Sequence, residues 1–505
     1  QSSTGNVYTV PNVSGNTYNW SYSGTGHTIN GTGNSVTIDF NASATSGTLS
    51  VTASNACGTS AARTVDIIVT PFPVATFSYD GTPYCQNAAN PLPTFSGGGA
   101  AGTFSSTAGL VFISPATGQV NLAASIPGSY TVTNTIAASG GCSVVTATSP
   151  LTISDLIWTG TSGTDWFVTG NWSCGFVPYN TSHFQIPDVA NKPVINSGVT
   201  AEVRNITIES GSSLTLASGT ITIYGSVTSN SGFDASDGTV EFAGPAAQSV
   251  GLDIFTGNTI KNLTANNNSG VTLQGPLNVT GVVLVQNGTL ASDGNLTLVS
   301  DVTETALIDG SGAGNVTGNV TMQRYLPIGF GYKYFSSPFQ AATVSEFGDD
   351  MDLASSFPLF YRFNENHKAA GWVSYTTGTN ILNPLEGYAV NFGAVANPKT
   401  ADVTGEVNSG NLSLTLFNHD STFTKGFNLV GNPYPSPVDW DAAGWTKINI
   451  DTAVYYFKAS DTDEYGGTYS SYIKGISSDG FATNIIPSMQ GFFVSAVPGG
   501  SIGIP

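Results

Sequence analysis

The chain has 505 residues, of which 13 are Lys or Arg and 32 are Asp or Glu, so its net charge is −19. Nucleic-acid binding by phosphate neutralisation requires clustered Lys and Arg, and this composition excludes it. Intrinsic disorder is excluded as well, because 40% of the residues are hydrophobic and 11% are aromatic. With 60 Gly and 25 Pro, long helices are not expected, and the predicted fold class is all-β.

The apolar segments of the chain are short. No apolar run approaches the roughly 20 residues of a membrane span, so we expect no transmembrane segment. The first residue is Gln1 rather than Met, which indicates processing or truncation.

Residues 1–70 have the pattern of a first β-sandwich. Short alternating segments separated by Gly and Asn turns predict strands over residues 7–10, 17–22, 35–40, 47–53 and 63–69. The segment Thr70-Pro71-Phe72-Pro73 then predicts a stiff break, because proline fixes its own φ and restricts the residue before it.

Residues 71–154 predict a second sandwich of the same style. Strands are expected over residues 102–105, 110–113, 119–122, 129–135 and 143–153. Cys85 lies in the first strand region and Cys142 just before the last, as expected for a disulfide between two sheets. Such a bond adds roughly 4 kcal/mol in the chain-entropy model and implies an oxidising, extracellular setting. The states of Cys57 and Cys174 stay open.

The sequence pattern changes over residues 155–325. Trp158, Trp166 and Trp172 come close together, and very short segments of the type apolar-Thr-apolar follow, at residues 206–208, 214–216, 221–223, 271–273 and 296–298. Short strands that recur without helices predict a parallel β-helix, in which each coil buries its apolar residues against the next. We expect the three tryptophans to cap its open end. The alternative is a third sandwich.

Residues 326–505 are again rich in aromatic side chains, as in Tyr455-Tyr456-Phe457 and Phe492-Phe493. A conventional hydrophobic core follows from this composition, and we predict a C-terminal β-sandwich. The four predicted domains are therefore residues 1–70, 71–154, 155–325 and 326–505.

Several strings resemble modules of large secreted proteins of the Bacteroidetes. TYNWSYSGTGHTI and GTLSVTASNACGTS are similar to a PKD-type module, and YCQNAANPLPTF, GTFSSTAGLVFISPATGQVNLAAS, GSYTVTNTI and GGCS to an Ig-like repeat. NWSCGFVP resembles a segment that opens β-helical regions. YKYFSSPF, GFNLVGNPYPSPVDW, AVYYFK and IIPSMQGFFV are similar to a module that precedes the sorting domain of type IX secretion substrates. The resemblance implies an adhesin-like extracellular or cell-surface protein that engages the type IX machinery.

Patterns that would indicate catalysis are weak. Gly97-Gly98-Gly99-Ala100-Ala101-Gly102 matches a dinucleotide-binding pattern formally, but the strand and helix that such a site needs are not predicted around it. His419-Asp420 is the only adjacent acid and histidine pair, and we interpret it as an exposed turn. Among the few Asp and Glu residues of the predicted β-helix, no pair can be assigned as general acid and general base. We therefore expect no enzyme and no catalytic residues.

Candidate binding residues lie in the C-terminal module. Five aromatic residues in Gly-, Ser- and Asp-rich turns are candidates for stacking on sugars, the alternative being that they fill the core: Trp440, Trp445, Tyr465, Tyr469 and Tyr472. Three acids in a flexible loop are candidates for calcium, the only cofactor considered, against solvated turns: Asp461, Asp463 and Glu464. Resemblance to the Bacteroidetes Asp-Ser/Thr-small signal implies O-glycosylation at Thr452 and Ser421.

The sequence thus predicts a non-enzymatic extracellular protein for adhesion or structural display, with a glycan or another cell surface as partner. The alternative is the accessory, non-catalytic region of a larger secreted enzyme that degrades polysaccharide or protein. No ligand can be named from fold analogy.

Overall fold

The computed structural model describes residues 2–139, 142–230, 232–367 and 369–504. The structure is essentially all β, which confirms the predicted fold class. Within the described residues the helical segments are two 3-10 turns, Thr169–Asn171 and Val344–Phe347, and no helix is long and apolar enough to cross a membrane. The chain divides into two compact units, Gln1–Ser154 and Asp155–Pro505.

The first part of the smaller unit is a two-sheet sandwich. Its strands are β1 (Ser3–Thr9), β2 (Thr17–Tyr22), β3 (His27–Asn30), β4 (Ser35–Phe40), β5 (Gly47–Asn55), β6 (Gly58–Thr59) and β7 (Arg63–Ile67). One antiparallel sheet has the order β1-β4-β3, and in the other β5 pairs with β2, β6 and β7. Alternate residues of β4, among them Ile38 and Phe40, are buried against Tyr22 and Leu49. All five predicted strands are present, and β3 and β6 are additional.

The second part of the smaller unit has its own core. Its strands are β8 (Phe77–Ser78), β9 (Thr94–Phe95), β10 (Thr103–Ser106), β11 (Phe112–Ser114), β12 (Gln119–Val120), β13 (Gly128–Ile136) and β14 (Val145–Ile153). The main sheet is antiparallel, in the order β10-β13-β14. Phe77, Phe104, Val132 and Leu151 are buried together. Gly97 to Gly102 precede strand β10 as a turn, not a helix, as the sequence indicated.

The cysteines correct one prediction. Cys85 is disulfide-bonded, but Cys142 carries a free thiol, so the predicted Cys85–Cys142 disulfide is wrong. Cys57 is also free and exposed, whereas Cys174 is disulfide-bonded. Four cysteines allow three connectivities, and spacing along the chain does not choose among them. Disulfide-bonded cysteines are nevertheless present, and these remain consistent with the expected oxidising compartment.

The larger unit begins with a β-solenoid, as predicted. Its strands are β15 (Leu156–Ile157), β16 (His183–Ile186), β17 (Val194–Ile195), β18 (Thr200–Val203), β19 (Asn205–Ile208), β20 (Leu214–Ile223), β21 (Val227–Thr228), β22 (Phe233–Phe242), β23 (Gln248–Val250), β24 (Phe255–Leu273), β25 (Leu277–Val279), β26 (Val282–Ala291), β27 (Leu296–Leu298), β28 (Leu307–Asp309), β29 (Asn315–Thr317) and β30 (Asn319–Leu326). Strands of neighbouring coils pair in parallel, and every predicted apolar-Thr-apolar triplet lies in a strand.

Apolar ladders fill the interior of the solenoid. In one of them, each residue is the register partner of the next, and none has measurable exposure: Ile221, Val240, Leu263 and Val283. The neighbouring positions Thr222, Glu241 and Thr264 form the adjacent outward ladder. Because side chains alternate along a strand, the Thr between two apolar residues points away from the core. This alternation explains the recurring triplets.

The three tryptophans pack against the first strands of the solenoid. Trp158 and Trp166 are fully buried and Trp172 is nearly so. The Trp166 and Trp172 rings lie 5.1 and 5.5 Å from the ring of Phe184 on β16, in edge-to-face geometry. A solenoid end would otherwise expose its apolar interior, so these rings provide the cover.

The rest of the larger unit is a predominantly antiparallel module. Its strands are β31 (Tyr332–Phe335), β32 (Phe339–Gln340), β33 (Phe360–Phe363), β34 (Trp372–Ser374), β35 (Tyr388–Asn391), β36 (Lys399–Val407), β37 (Leu412–Thr415), β38 (Phe427–Gly431), β39 (Val438–Asp439), β40 (Thr446–Ile450), β41 (Val454–Ala459), β42 (Gly467–Ile473), β43 (Ile476–Ser477), β44 (Ile485–Ile486) and β45 (Gly491–Ile504). One sheet has the order β31-β35-β33-β34.

The solenoid and the C-terminal module share one core. Strand β30, the last of the solenoid, pairs along its whole length with β36. The largest cluster of buried apolar residues runs from Leu156 to Met489, across the boundary predicted at residue 325. The two parts are therefore one packed body rather than two separately packed domains.

Strand β45 organises the C-terminal sandwich. Its first half pairs with β38 and contacts β41, and its second half pairs with β37 and β40. Phe492, Val494 and Ile502 of this strand are buried in the sandwich core together with Trp440 and Val454.

Candidate functional site

Two of the five aromatic glycan candidates belong to the core. Trp440 is 1% exposed, and its indole Nε1 donates to the carbonyl of Thr452 at 3.0 Å. Tyr472 is 6% exposed, and its hydroxyl donates to the carboxylate of Asp441. A ring that stacks on a sugar must present a face to solvent, so the prediction that Trp440 and Tyr472 bind glycan is wrong. They fill the core, the alternative that the sequence left open.

Lys447 covers the buried indole of Trp440. Its ammonium lies 3.6 Å from the centroid of the Trp440 ring and 5.5 Å from that of Trp445, and it donates to the Trp440 carbonyl at 2.6 Å. Burial lowers the pKa of Lys447, against the opposing effect of Asp441 and Asp439. The contact is a cation–π interaction within the protein.

Trp445 lies on the wall of a large open cleft, which we call the polar cleft. The cleft has a volume of about 880 Å³ and lies between the last coils of the solenoid and the C-terminal sandwich. The indole of Trp445 is half-buried, and its Nε1 donates to the carbonyl of Asp439 at 2.8 Å. Polar side chains share the lining with this ring: Asp309, Gln340, Glu406, Asn408, Tyr434, Ser436 and Asp439.

The polar groups of the cleft are held in place by the surrounding backbone. The hydroxyl of Tyr434 donates to the carbonyl of Gly410 at 2.6 Å, and the amide of Asn408 donates to the carbonyl of Pro433 at 2.9 Å. The carboxylate of Asp439 accepts from the amide of Asn484 at 2.8 Å. Carboxylates and amides retain further lone pairs for a ligand, and an indole offers a flat apolar surface. This combination suits a ligand with both hydroxyl groups and apolar faces.

Tyr469 lies in a different opening, which we call the aromatic pocket. It encloses about 360 Å³ on the side of the sandwich formed by strands β33, β34, β38, β41, β42 and β45. Seven aromatic side chains line it: Phe363, Trp372, Phe423, Phe427, Tyr455, Tyr469 and Phe493. Tyr469 is 50% exposed and Phe423 67% exposed, whereas Phe493 is almost fully buried. The pocket therefore has a buried floor and an exposed rim.

The hydroxyl of Tyr469 is engaged within the protein. It hydrogen-bonds to the hydroxyl of Tyr334 at 2.7 Å. Burial, followed by the neighbouring Tyr469, raises the pKa of Tyr334 well above its ordinary value, so this phenol stays protonated. The fifth candidate, Tyr465, is 59% exposed, and its ring contacts Phe357 and Tyr332 outside both openings.

A buried carboxylate fixes the loop that carries Phe423 and Thr424. Glu365 is only 3% exposed, and its two oxygens accept hydrogen bonds from Thr424 Oγ1 at 2.9 Å, from the Gly426 amide at 3.2 Å, and from the amide and ring of His419. Burial raises the pKa of Glu365, but these hydrogen bonds outweigh it and hold the pKa below its ordinary value. The partner of His419 is thus Glu365 and not the adjacent Asp420.

The three acids predicted as a calcium loop do not converge. Glu464 accepts from the amide of Asn391 at 3.3 Å, and Asp463 accepts from the backbone amide of Tyr465 at 3.1 Å. Burial lowers the pKa of Lys333, and the charge of Asp461 partly opposes that shift. In the parts of the chain that the structure describes, no three His, Cys, Asp or Glu side chains are grouped so as to hold a metal. The predicted grouping of Asp461, Asp463 and Glu464 is therefore wrong.

The two O-glycosylation candidates differ in access. Thr452 is exposed, and its backbone amide donates to the carboxylate of Asp451 at 2.6 Å. Ser421 is half-buried, and its carbonyl accepts from the amide of Lys425 at 3.0 Å. An enzyme would reach Thr452 more easily.

Comparison with known families matches two parts of the chain. Residues 1–67 match a PKD-like domain. Residues 157–239 and 246–500, about two thirds of the chain, match a domain of unknown function, DUF8693. This second match includes the aromatic pocket and most of the solenoid and of the polar cleft. No curated protein matches the chain.

Proposed function

The chain belongs to the DUF8693 family, which is defined by a domain of unknown function. We propose that it is a non-enzymatic extracellular surface protein that binds glycan. A PKD-like domain combined with a β-solenoid supports an extracellular structural or adhesion-type role. The disulfide-bonded Cys85 and Cys174 agree with an oxidising compartment.

The observation that carries glycan binding is the polar cleft. Its wall combines the half-buried indole of Trp445 with carboxylate, amide and hydroxyl side chains that the backbone already positions. A sugar ring offers an apolar face for the indole and hydroxyl groups for these polar partners. The volume of about 880 Å³ is sufficient for an oligosaccharide and lies within the usual range of ligand sites.

We further propose a cellular origin and a covalent modification for this protein. The strings in the PKD-type, Ig-like and C-terminal modules support export by the type IX machinery of a Bacteroidetes cell, with O-glycosylation at Thr452 and Ser421. Peptide mass spectrometry of the protein from its native source tests this proposal. We expect added sugar mass on the exposed Thr452, with lower occupancy on the half-buried Ser421. Unmodified Thr452 would contradict it.

Glycan-array binding of the purified chain tests the central proposal. We expect the wild type to bind a defined set of glycans and Trp445→Ala to weaken that binding by about tenfold or more, since a lost stacking surface and its hydrogen bonds are worth about 1.4 kcal/mol or more. Tyr469→Ala is the matched control, because Tyr469 is an exposed ring outside the cleft. Near-UV circular dichroism verifies that both variants fold.

Two outcomes would overturn the proposal. Unchanged affinity in Trp445→Ala, or no glycan bound by the wild type, would remove the polar cleft as a glycan site. Hydrolysis of any polysaccharide in a panel by the purified chain would instead remove the non-enzymatic claim.

A further inference from the structure

The aromatic pocket is built differently from the polar cleft and calls for a different ligand. Seven aromatic rings surround a volume of about 360 Å³, with Phe423 67% exposed and Tyr469 50% exposed at its rim. Soluble proteins seldom leave concave apolar surfaces open to water unless the surface has a binding role. The question is which chemistry this surface recognises.

The rings of the pocket stand at steep angles to one another. The ring of Phe363 lies 4.9 Å from that of Phe493 at 83°, and 5.1 Å from that of Trp372 at 80°. The ring of Phe427 lies 6.2 Å from that of Phe493 at 88°. Edge-to-face packing of this kind makes walls that run in several directions around a central space, in contrast to the single flat platform that Trp445 provides.

Few polar groups of the pocket are left to recognise hydroxyl groups. The hydroxyl of Thr424 donates a hydrogen bond to Glu365, and its Oγ1 lies 2.7 Å from the backbone carbonyl oxygen and 2.9 Å from the carboxylate Oε1 of that residue. The hydroxyl of Tyr469 is hydrogen-bonded to that of Tyr334. The hydroxyl of Tyr455 and the indole Nε1 of Trp372 are the further polar groups of the described lining, too few to replace the hydrogen bonds that a sugar makes to water. The main attraction that the pocket offers is that of its aromatic rings.

The electrostatic environment of the pocket favours a cation. No Lys or Arg lines it among the residues that the structure describes. The buried carboxylate of Glu365 lies directly behind Thr424, one of the lining residues, and His419 binds the outer carboxylate oxygen. The chain as a whole carries a net charge of −19. A positive charge at the ring faces is therefore opposed by no charged side chain of the described lining.

We infer that the aromatic pocket binds a free alkylated ammonium ion of the choline type. The methyl groups of such an ion are apolar enough to leave water, and its diffuse charge is attracted to the negative faces of aromatic rings, most strongly to that of Trp. Trp372 and Tyr469 are the residues expected to contribute most, and Phe493 forms the buried floor. The inference concerns a site separate from the polar cleft and does not rest on glycan binding.

The test compares choline with its neutral isostere 3,3-dimethyl-1-butanol, in which a carbon atom replaces the charged nitrogen. Calorimetric titration of the full chain should show binding of choline and at least about tenfold weaker binding of the isostere, since cation–π attraction is lost at equal shape. Equal affinity for the two compounds would make the pocket a plain apolar site and overturn the inference. Absence of choline binding would overturn it as well.

Variants that keep the pocket apolar sharpen the test. Trp372→Leu and Tyr469→Leu should weaken choline binding by about fivefold or more and leave the isostere nearly unaffected. Tyr469→Phe keeps the ring and removes the hydroxyl, so it should retain choline binding. Trp445→Leu in the polar cleft is the matched control. Equal loss of both compounds in Trp372→Leu would assign the effect to shape and contradict the inference.

A lipid headgroup carries the same ammonium chemistry, and vesicles distinguish the two sources. We expect the chain not to co-sediment with phosphatidylcholine vesicles, because the pocket encloses only about 360 Å³. Co-sedimentation that excess free choline abolishes would contradict the assignment to a free ion.

Discussion

The solenoid and the C-terminal module share one core but fill it with different side chains. Between Ile195 and Met322 the described core is mainly Ile, Val and Leu, with Phe233, Phe242 and Phe255 as its buried rings. The C-terminal module instead buries many rings against one another, for example Phe335, Phe347 and Phe360. Stacked coils repeat at about 4.8 Å, so similar aliphatic residues fill the interior evenly.

This difference determines where the molecule can bind ligands. Rings that meet at steep angles cannot tile a surface evenly, and the aromatic pocket opens among them. The polar cleft opens where the regular coils end and the irregular module begins. Both proposed binding sites therefore lie in or beside the aromatic module, whereas the coils repeat one pattern of aliphatic contacts.

The first prediction concerns the contribution of the apolar interior to the stability of the solenoid, and it has the largest expected effect. Leu263→Ala removes a buried link from the ladder between Val240 and Val283 and should lower the free energy of unfolding by about 3–4 kcal/mol, because a cavity remains. Denaturant unfolding of the intact chain, followed by circular dichroism, measures the shift. The neighbouring Thr264→Ala on the outward ladder should change stability by less than about 0.5 kcal/mol.

Equal effects of Leu263→Ala and Thr264→Ala would contradict this prediction. They would mean that the inward and outward ladders contribute alike and that the apolar interior does not carry the stability of the coils.

The second prediction concerns a buried charge in the C-terminal module. Burial raises the pKa of Asp350 to about 6, although the ammonium of Lys399, 3.5 Å away, opposes the shift. This pKa lies above the unfolded value of 3.8, so between about pH 4 and pH 6 the folded state binds this proton more tightly than the unfolded state does. The free energy of unfolding should therefore fall as pH rises through that range. Asp350→Asn should remove most of this dependence and add about 2 kcal/mol at pH 7.

Thermal unfolding between pH 4 and pH 7 measures this dependence. Asp352→Asn, at an exposed position two residues further on, is the control and should leave the profile close to that of the wild type. A wild-type profile that rises through the same window would contradict the assignment to Asp350.

The regular part of the fold could be predicted from sequence because its signal is local. Leu296-Thr297-Leu298 is strand β27, and the alternation within it defines which side chain faces inward. The three tryptophans lie close together in sequence and are buried together beside the first coil, so this contact is local as well. Local period and composition are sufficient wherever each coil repeats the same contacts.

The candidate sites could not be predicted in the same way, because they form between distant residues. Trp440 and Trp445 lie in one turn, yet only Trp445 reaches a cleft, and its other wall comes from the solenoid around Asp309. Glu365 and His419 are 54 residues apart, and the sequence offered Asp420 as the nearer partner. The disulfide prediction failed for the same reason, because two strand regions can face each other without their cysteines meeting.

The double pairing of β45 has a consequence for biosynthesis. Strands β37, β38, β40 and β41 all contact this one segment, residues 491–504, which is translated after every one of them. Coils of the solenoid can form as they leave the ribosome, since each needs only its predecessor. Strand β41 can already pair with β42, but the sandwich cannot complete its sheets until Gly491–Ile504 emerges. The C-terminal module is thus completed after the coils, and its apolar strand surfaces stay open to misassociation for longer during synthesis.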